Sequence, residues 1–533
     1  MGSAIERVLE NPEYVKSFYV DNEKLFCDVC QNTVLDHTKK YTIDKHLKSK
    51  KHISNAEKKR IDNEREQMNV ALVKSFIQAD IPLEKVDKLK SFFQEYCVNG
   101  DAIANSSLLQ EKYLPVALNA ENFRIQEWLC NKRLSIIIDE TTDYYGQAVF
   151  NVFFNCGGQT SLARTEYLNI VNNISIAQLV MRTLHSYNVS FDKLAFFISD
   201  NAEYMLQAFQ VLSPLMPRLK HNRCLARIID LVGESWIYYK NFKFLTNIVS
   251  NIEISFIQCP ARKKRWCDLL SFLNFYATDS DYNQFYGNWV ILPYLPIKCD
   301  LISLFKFIIW ISHHLSQLRT FYIGEEMINN ESEIIQELAM IFKNQTQFFI
   351  FEVFIMFIAS NTKCIVDDYE YFRIKNKPIA PFVARRLARL EATLQYGCTH
   401  SPFNDELKIK FSASNIDPKL YIMIFQEAFQ IALIKLKKHI DNHPTLPVFN
   451  AIQCFDPCYI RTHCNSIDSY SEIEEFRKPE KNIVKEWEIY CNLEEEFGNE
   501  ELDLDNYWKN KAETLPYLSK LALDYIWLPV SGL

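Results

Sequence analysis

The chain has 533 residues, 48% of them hydrophobic and 14% aromatic, and a formal net charge of −7. That length leaves room for several domains and excludes a lone small module, and the acidic balance means that any strongly basic stretch is a local feature. Met1 to Glu10 carries Glu6, Arg7 and Glu10 where a secretory leader would be apolar, and the fifteen cysteines follow no repeating framework, which suits a reducing compartment.

The first informative element is Phe26-Cys27-Asp28-Val29-Cys30, followed by His46 and His52. Two cysteines separated by two residues form a knuckle, and two histidines arriving after a linker complete a tetrahedral donor set of the kind zinc prefers. Lys24 to Phe26 and Thr33 to Leu35 read as short strands beside the knuckle, and Thr42 onward reads as a helix carrying His46. The step from His46 to His52 advances roughly 600° on an ideal helix, so that helix is expected to tighten or end near Ser49. His37 is a competing ligand in the turn before the helix. From Lys39 onward the basic residues are Lys39, Lys40, Lys45, Lys48, Lys50, Lys51, Lys58, Lys59 and Arg60, opposed within that stretch by Asp44 and Glu57. Cations so placed can neutralise phosphates and release counterions, which points to double-stranded DNA; a solvated helix face is the plain alternative.

Glu57 to Glu66 reads as a charged helical connector and Val70 to Asn99 as helical, with Ile81-Pro82-Leu83-Glu84-Lys85 as a helix start. Leu108 to Leu114, closed by Pro115, extends this small helical unit. The pattern changes at Leu134. Ser135-Ile136-Ile137-Ile138-Asp139 and Leu194-Ala195-Phe196-Phe197-Ile198-Ser199-Asp200 are both apolar strands that deliver an aspartate, with Ala148 to Asn155 and Ala163 to Val171 as neighbouring strands. Carboxylates from adjacent strands can hold magnesium or manganese for phosphodiester chemistry, although an aspartate after a strand is more often a cap or turn residue. Beyond Cys224 the chain reads as long, helical and aromatic. Leu301 to Ile311 and Phe348 to Ala359 are expected to be buried helices, because charge or length keeps them from spanning a bilayer. Glu472 to Asp505 reads as a solvated helix and linker ahead of a final segment from Tyr507.

Several blocks, in order, resemble hAT-family transposases: Asp139-Glu140-Thr141-Thr142-Asp143, Ser199-Asp200-Asn201-Ala202, and Cys224-Leu225-Ala226-Arg227-Ile228-Ile229 with Leu231-Val232. Arg265-Trp266 is similar to the family's arginine-tryptophan motif, and Phe455-Asp456-Pro457, Tyr507-Trp508 and Leu515 through Val530 to its dimerisation region. Leu25 through Pro115, including His46-Leu47-Lys48-Ser49-Lys50 and Tyr113-Leu114-Pro115, resembles the CGG triplet-repeat-binding family.

The hAT resemblance implies an α/β plus α chain: an N-terminal ββα zinc finger, an RNase H-like mixed-sheet core interrupted by a large helical insertion, and a truncated C-terminal dimerisation region. The corresponding divisions are 1–66, 67–130, 131–235, 236–445 and 446–533. Asp139 and Asp200 would be the first two acids of a metal triad, and Trp266 an aromatic that stacks on an extruded DNA base, unless it is a core tryptophan. The family's third acid is expected beyond Leu533, and Arg227 stands where the family has histidine; His221 is the spatial substitute considered. The resulting expectation is a nuclear, zinc-dependent DNA-binding protein, not a membrane protein, with vestigial catalytic aspartates and a weakened homo-oligomer. Two alternatives remain: an active enzyme completed by an acid among Glu494 to Glu501, and a protein-interaction module.

Overall fold

Short apolar runs flank the Cys27 knuckle, Phe18-Tyr19-Val20 and Leu25-Phe26 before it and Val34-Leu35 after it, and they build a small sheet. The computed structural model describes residues 4–532 except 10, 31–32, 37, 130–131, 201, 273–300, 329–331, 415, 464–465 and 496–501, so His37 and most of Glu494 to Glu501 lie outside the described residues. Two units are distinguished, Met1–Trp128 and Leu129–Leu533.

The first unit begins with helices α1 (Ala4–Leu9) and α2 (Pro12–Ser17). Asn11 caps α2 by accepting from the Glu13 N–H, and Pro12 presets the first helical φ. The chain then enters β1 (Phe18–Asp21), β2 (Lys24–Cys27) and β3 (Thr33–Leu35), an antiparallel sheet in that order. Asn22 and Glu23 both take positive φ in the β1–β2 turn, the geometry a tight hairpin demands. The expected ββα finger is therefore corrected to a three-stranded one. Helix α3 (Lys40–Leu47) ends ahead of Ser49, whose hydroxyl accepts from the His52 N–H and starts α4 (Lys50–Gln78). The break foreseen near Ser49 is present, and the charged connector is the middle of a single 29-residue helix.

Helix α5 (Lys85–Tyr96) starts three residues after Pro82, because a turn in which Lys85 N–H bonds to the Pro82 carbonyl comes first. After the short α6 (Ser106–Leu108), a π turn over Leu109–Tyr113 leads into α7 (Leu114–Leu129). Pro115 thus lies inside a helix and does not close one; the wider turn before it accommodates a residue that has no N–H to donate. Val73, Phe76, Val86, Leu109 and Tyr113 form the core. Buried Asn69 satisfies its whole amide there, donating to Arg65 and Ala102 carbonyls and accepting from Ala104 N–H.

The second unit is built on β4 (Leu134–Thr142), β5 (Ala148–Cys156), β6 (Gln159–Tyr167), β7 (Leu194–Ser199) and β8 (Lys220–Arg223). The sheet order is β6-β5-β4-β7-β8, with β4, β5 and β6 antiparallel and β7 and β8 parallel to β4. The strand foreseen at Ala163 to Val171 begins earlier and ends at Tyr167, because Gly157 and Gly158 at φ +54° and +77° make a tight hairpin. Helices α8 (Asn173–Ser186), α9 (Glu203–Leu212) and α10 (Leu225–Ile237) accompany the sheet. A long helical region follows, beginning with α11 (Lys243–Gln258) and α12 (Pro260–Phe272). Its residues share one core with Ile137, Phe196 and Ile198 of the sheet.

Helices Leu301–His313 and Gln345–Asn361 are both in that core, as expected. By length and composition the stretch Gln345–Phe372 could cross a membrane, yet Phe351, Phe354, Phe357 and Ile358 are packed within the protein. Helix Lys481–Cys491 corrects the expectation of a solvated segment. Its Ile483, Trp487 and Tyr490 are buried, and buried Glu486 accepts from the Leu518 N–H at 2.7 Å.

Candidate functional site

Four side chains meet where β2 ends and α3 gives way to α4. The donor atoms of Cys27, Cys30, His46 and His52 all lie within 4.8 Å of one another. His52 Nδ1 is 3.4 Å from Cys27 Sγ and 3.5 Å from Cys30 Sγ. A tetrahedral ion with bonds of about 2.3 Å to sulfur and about 2.1 Å to nitrogen places such atoms roughly 3.6 Å apart, so the spacing fits a bound metal. His46 Nε2 is buried with no hydrogen-bond partner among the described residues, and a metal ion answers that vacant lone pair. Burial lowers the proton affinity of both imidazoles and raises the Cys27 thiol. Neutral imidazoles are ready to ligate, whereas the thiols must give up protons to the metal.

The supporting residues had little signal in the sequence. Cys30 N–H donates to Cys27 Sγ at 3.3 Å and Asn55 Nδ2 to Cys30 Sγ at 3.6 Å. Phe18, on the unforeseen β1, lays its ring against both His46 and His52. Tyr14 is buried and its hydroxyl donates to Asp44, so one of the two acids thought to oppose the lysines holds α2 to α3. Ser49, three residues before His52, is the one supporting residue that a capping pattern could have revealed.

His52, Asn55 and Lys59 lie on one face of α4 by their spacing, and Lys59 reaches back to Asp28 at 2.5 Å. Arg60 pairs with Glu57 and Glu64, and Lys39 with Asp36 at 3.6 Å. Three of the nine expected cations are thus occupied, each of them by at least one acid outside the stretch considered. Lys40, Lys45, Lys48, Lys50, Lys51 and Lys58 have no carboxylate at ion-pair distance among the described residues; Lys45 lies 5.9 Å over the Tyr41 ring.

In the second unit, Asp139 is half-buried near the end of β4, and Asp200 follows β7, its parallel neighbour. Burial raises the Asp139 carboxyl, and the charges of Asp200 and Glu140 add to the shift. Glu140 accepts from the Tyr204 hydroxyl. Asp143 is a turn residue whose carboxylate accepts from Tyr145 and Gln147 N–H groups. Among the described residues no third acid gathers with Asp139 and Asp200 into a metal-sized group.

Arg227 binds Asp230 and Glu234. His221, the substitute considered, is buried on β8 with Nε2 2.9 Å from Ser199 Oγ. Trp266 corrects the base-stacking expectation. It is 0% exposed, and its ring meets Phe256, Trp310, His314 and Phe321. Neighbouring Arg265 makes two bonds to buried Glu325, which also receives Arg262. A ring enclosed in this way has no face left for a base.

A three-stranded module with a Cys₂His₂ metal set, running directly into a helical domain, defines the class to which the N-terminal unit belongs. The sequence matches the family model described as the CGGBP1 N-terminal domain over residues 3–58 and that of the CGGBP1 helical domain over residues 59–116. It is 33% identical over 132 residues to CGG triplet repeat-binding protein 1 of Mus musculus and 31% identical to that of Homo sapiens; each match covers 21% of this chain and 78% of the relative. Through this N-terminal part the chain belongs to the CGG triplet repeat-binding protein family.

Proposed function

We propose that this is a nuclear, zinc-dependent protein that binds double-stranded DNA through its N-terminal unit. The carrying observation is the convergence of Cys27, Cys30, His46 and His52 within 4.8 Å, beside six lysines free of carboxylate partners among the described residues. Relatives named for binding CGG triplet repeats add weight, and make CGG-containing duplex the first target to try. Zinc, when bound, supplies a cross-link between knuckle and helices. Lys40, Lys45 and Lys48 on and after α3, with Lys50, Lys51 and Lys58 on α4, then present their charges from a fixed corner to the phosphate backbone.

The test is binding of the purified chain to fluorescent duplex across a salt series, with zinc and with chelator. Six phosphate contacts would give a slope of about −5 in log affinity against log salt. No binding at low salt, or binding indifferent to chelator, would remove this reading.

We further propose that the second unit derives from an hAT transposase and has little or no transposase activity, without a membrane partner. A mixed sheet whose two aspartates come from adjacent parallel strands, followed by a long helical region, supports that origin. Asp139 and Asp200 could share a magnesium or manganese ion only with a further ligand. Incubation of supercoiled DNA with either metal is expected to leave it intact. Nicking that disappears in Asp139→Ala and Asp200→Ala would replace this proposal with an active enzyme.

A further inference from the structure

Helices Lys363–Phe372 and Val383–Thr399 are joined by a short segment in which Arg373, Lys375 and Lys377 alternate with Ile374 and Asn376. Buried Phe372 at one end and buried Pro378 and Ile379 at the other fix the segment in place, while all three cations are exposed. Among the described residues none of the three has a carboxylate at ion-pair distance. The acids nearest in sequence are already used: Glu370 holds Lys306 at 2.6 Å, and Asp368 holds Arg386 at 2.7 Å and Arg389 at 3.0 Å. Arg373 is also preset, its guanidinium over the Tyr369 ring at 5.3 Å and donating to the Tyr369 hydroxyl at 3.0 Å.

The three cations line a cleft whose other walls include Asn155 and Thr160 of the β5–β6 hairpin and Ser531. These are neutral hydrogen-bonding groups. Ile137 of β4 also reaches the cleft, and Lys375 is close enough to Asp139 to draw its carboxyl downward, against the larger effect of burial. Asp139 therefore weakens the pull of Lys375 on any single small anion. A polyanion engages all three cations at once and releases counterions at each, so it gains where a lone phosphate does not.

We propose that Arg373, Lys375 and Lys377 form a second DNA-contact site, holding successive phosphates of a strand that lies along this cleft. The site is in a different unit from the finger and does not depend on zinc. Arginine and lysine differ usefully here: the planar Arg373, held on Tyr369, can fix one phosphate bidentately, while the two lysines act as mobile point charges.

The test uses the full chain and amine labelling mapped by mass spectrometry, with and without a duplex of about three helical turns, in zinc and in chelator. Labelling of Lys375 and Lys377 is expected to fall several-fold with duplex in both conditions, and polyglutamate at equal charge, which offers carboxylates in place of regularly spaced phosphates, should protect them less. The triple variant R373Q/K375Q/K377Q should keep the parent's zinc content and circular dichroism. Its salt slope should be shallower by about 2–3, at roughly 0.9 per lost phosphate contact. Equal labelling with and without duplex, equal protection by polyglutamate, or an unchanged slope in the variant would overturn the proposal. Protection confined to Lys45, Lys48, Lys50 and Lys51 would uphold the finger and overturn this site; protection confined to Lys375 and Lys377 would do the reverse.

Discussion

His46 Nε2 concentrates the case for the metal in one atom. A buried nitrogen without a partner costs about 1–3 kcal/mol, and among the described residues this one has no hydrogen-bond partner. Two sulfurs 3.4 and 3.5 Å from His52 Nδ1 are an uncomfortable cluster without an ion and a satisfied one with it. His46→Ala removes one of four donors, whereas Asn55→Ala removes a group that only supports Cys30. Loss of an outer partner typically costs about 10–100-fold in metal affinity. We therefore expect Asn55→Ala to fall in that range and His46→Ala to lose more, as read by competition against a zinc chelator. Equal effects from the two variants would show that His46 is not a ligand. The cysteine spacing and both histidines were legible because they are close in sequence. Phe18 and Asn55 were not, because an aromatic on a strand and an amide on a helix carry no mark of the neighbour they will meet.

Among the elements, the turn between α5 and α6 shows how a single position can hold a domain together. Asn99 adopts φ +63°, and at Gly100 a methyl group would stand 1.8 Å from the Phe93 carbonyl oxygen. That oxygen is backbone within α5 and cannot swing aside. Gly100→Ala should therefore shift the 3₁₀ turn Gly100–Ala102 and loosen the Asn69 bonds to Ala102 and Ala104. Forced overpacking of this kind costs about 1–3 kcal/mol. Hydrogen exchange should quicken across α5 and the Leu109–Tyr113 turn while the β4–β8 sheet keeps its protection; unchanged exchange in α5 would sink the argument. Pro115 and helix Lys481–Cys491 show the opposite lesson. A proline that looked like a stop is carried by a π turn, and an acid-rich segment is anchored by the buried face of Ile483, Trp487 and Tyr490.

Across the second unit, distant stretches of chain converge on β8. Asn222 donates to the Pro529 carbonyl at 2.9 Å and accepts from Thr445, and Ala226 N–H bonds to Ser531. His443 Nε2 approaches the Arg223 carbonyl at 3.2 Å and its Nδ1 meets Thr445. Burial, with Arg223 adding repulsion, depresses both His221 and His443 to about 4 from an ordinary 6.5. The folded state thus binds fewer protons than the unfolded chain between those values. Stability from the two neutral imidazoles is complete above pH 6.5 and is lost as pH falls toward 4, by up to roughly 3 kcal/mol each. Denaturant titrations at pH 7 and pH 5 should show the loss, and His221→Gln should reduce it. A midpoint that does not move between those two pH values would count against this account.

The four side chains that could hold a metal ion, the break at Ser49 and the two aspartate-bearing strands could be read from the sequence because each rests on local spacing and periodicity. Strand β8 could not: Lys220-His221-Asn222-Arg223 is wholly polar, and it becomes a strand because β7 and the C-terminal segment offer it partners. Burial of Trp266, the Lys59–Asp28 pair and the unpaired cations around Lys375 also needed the folded chain. Residue type records what a side chain can do; whether a charge meets an acid, or a ring meets a core, depends on groups tens or hundreds of residues away.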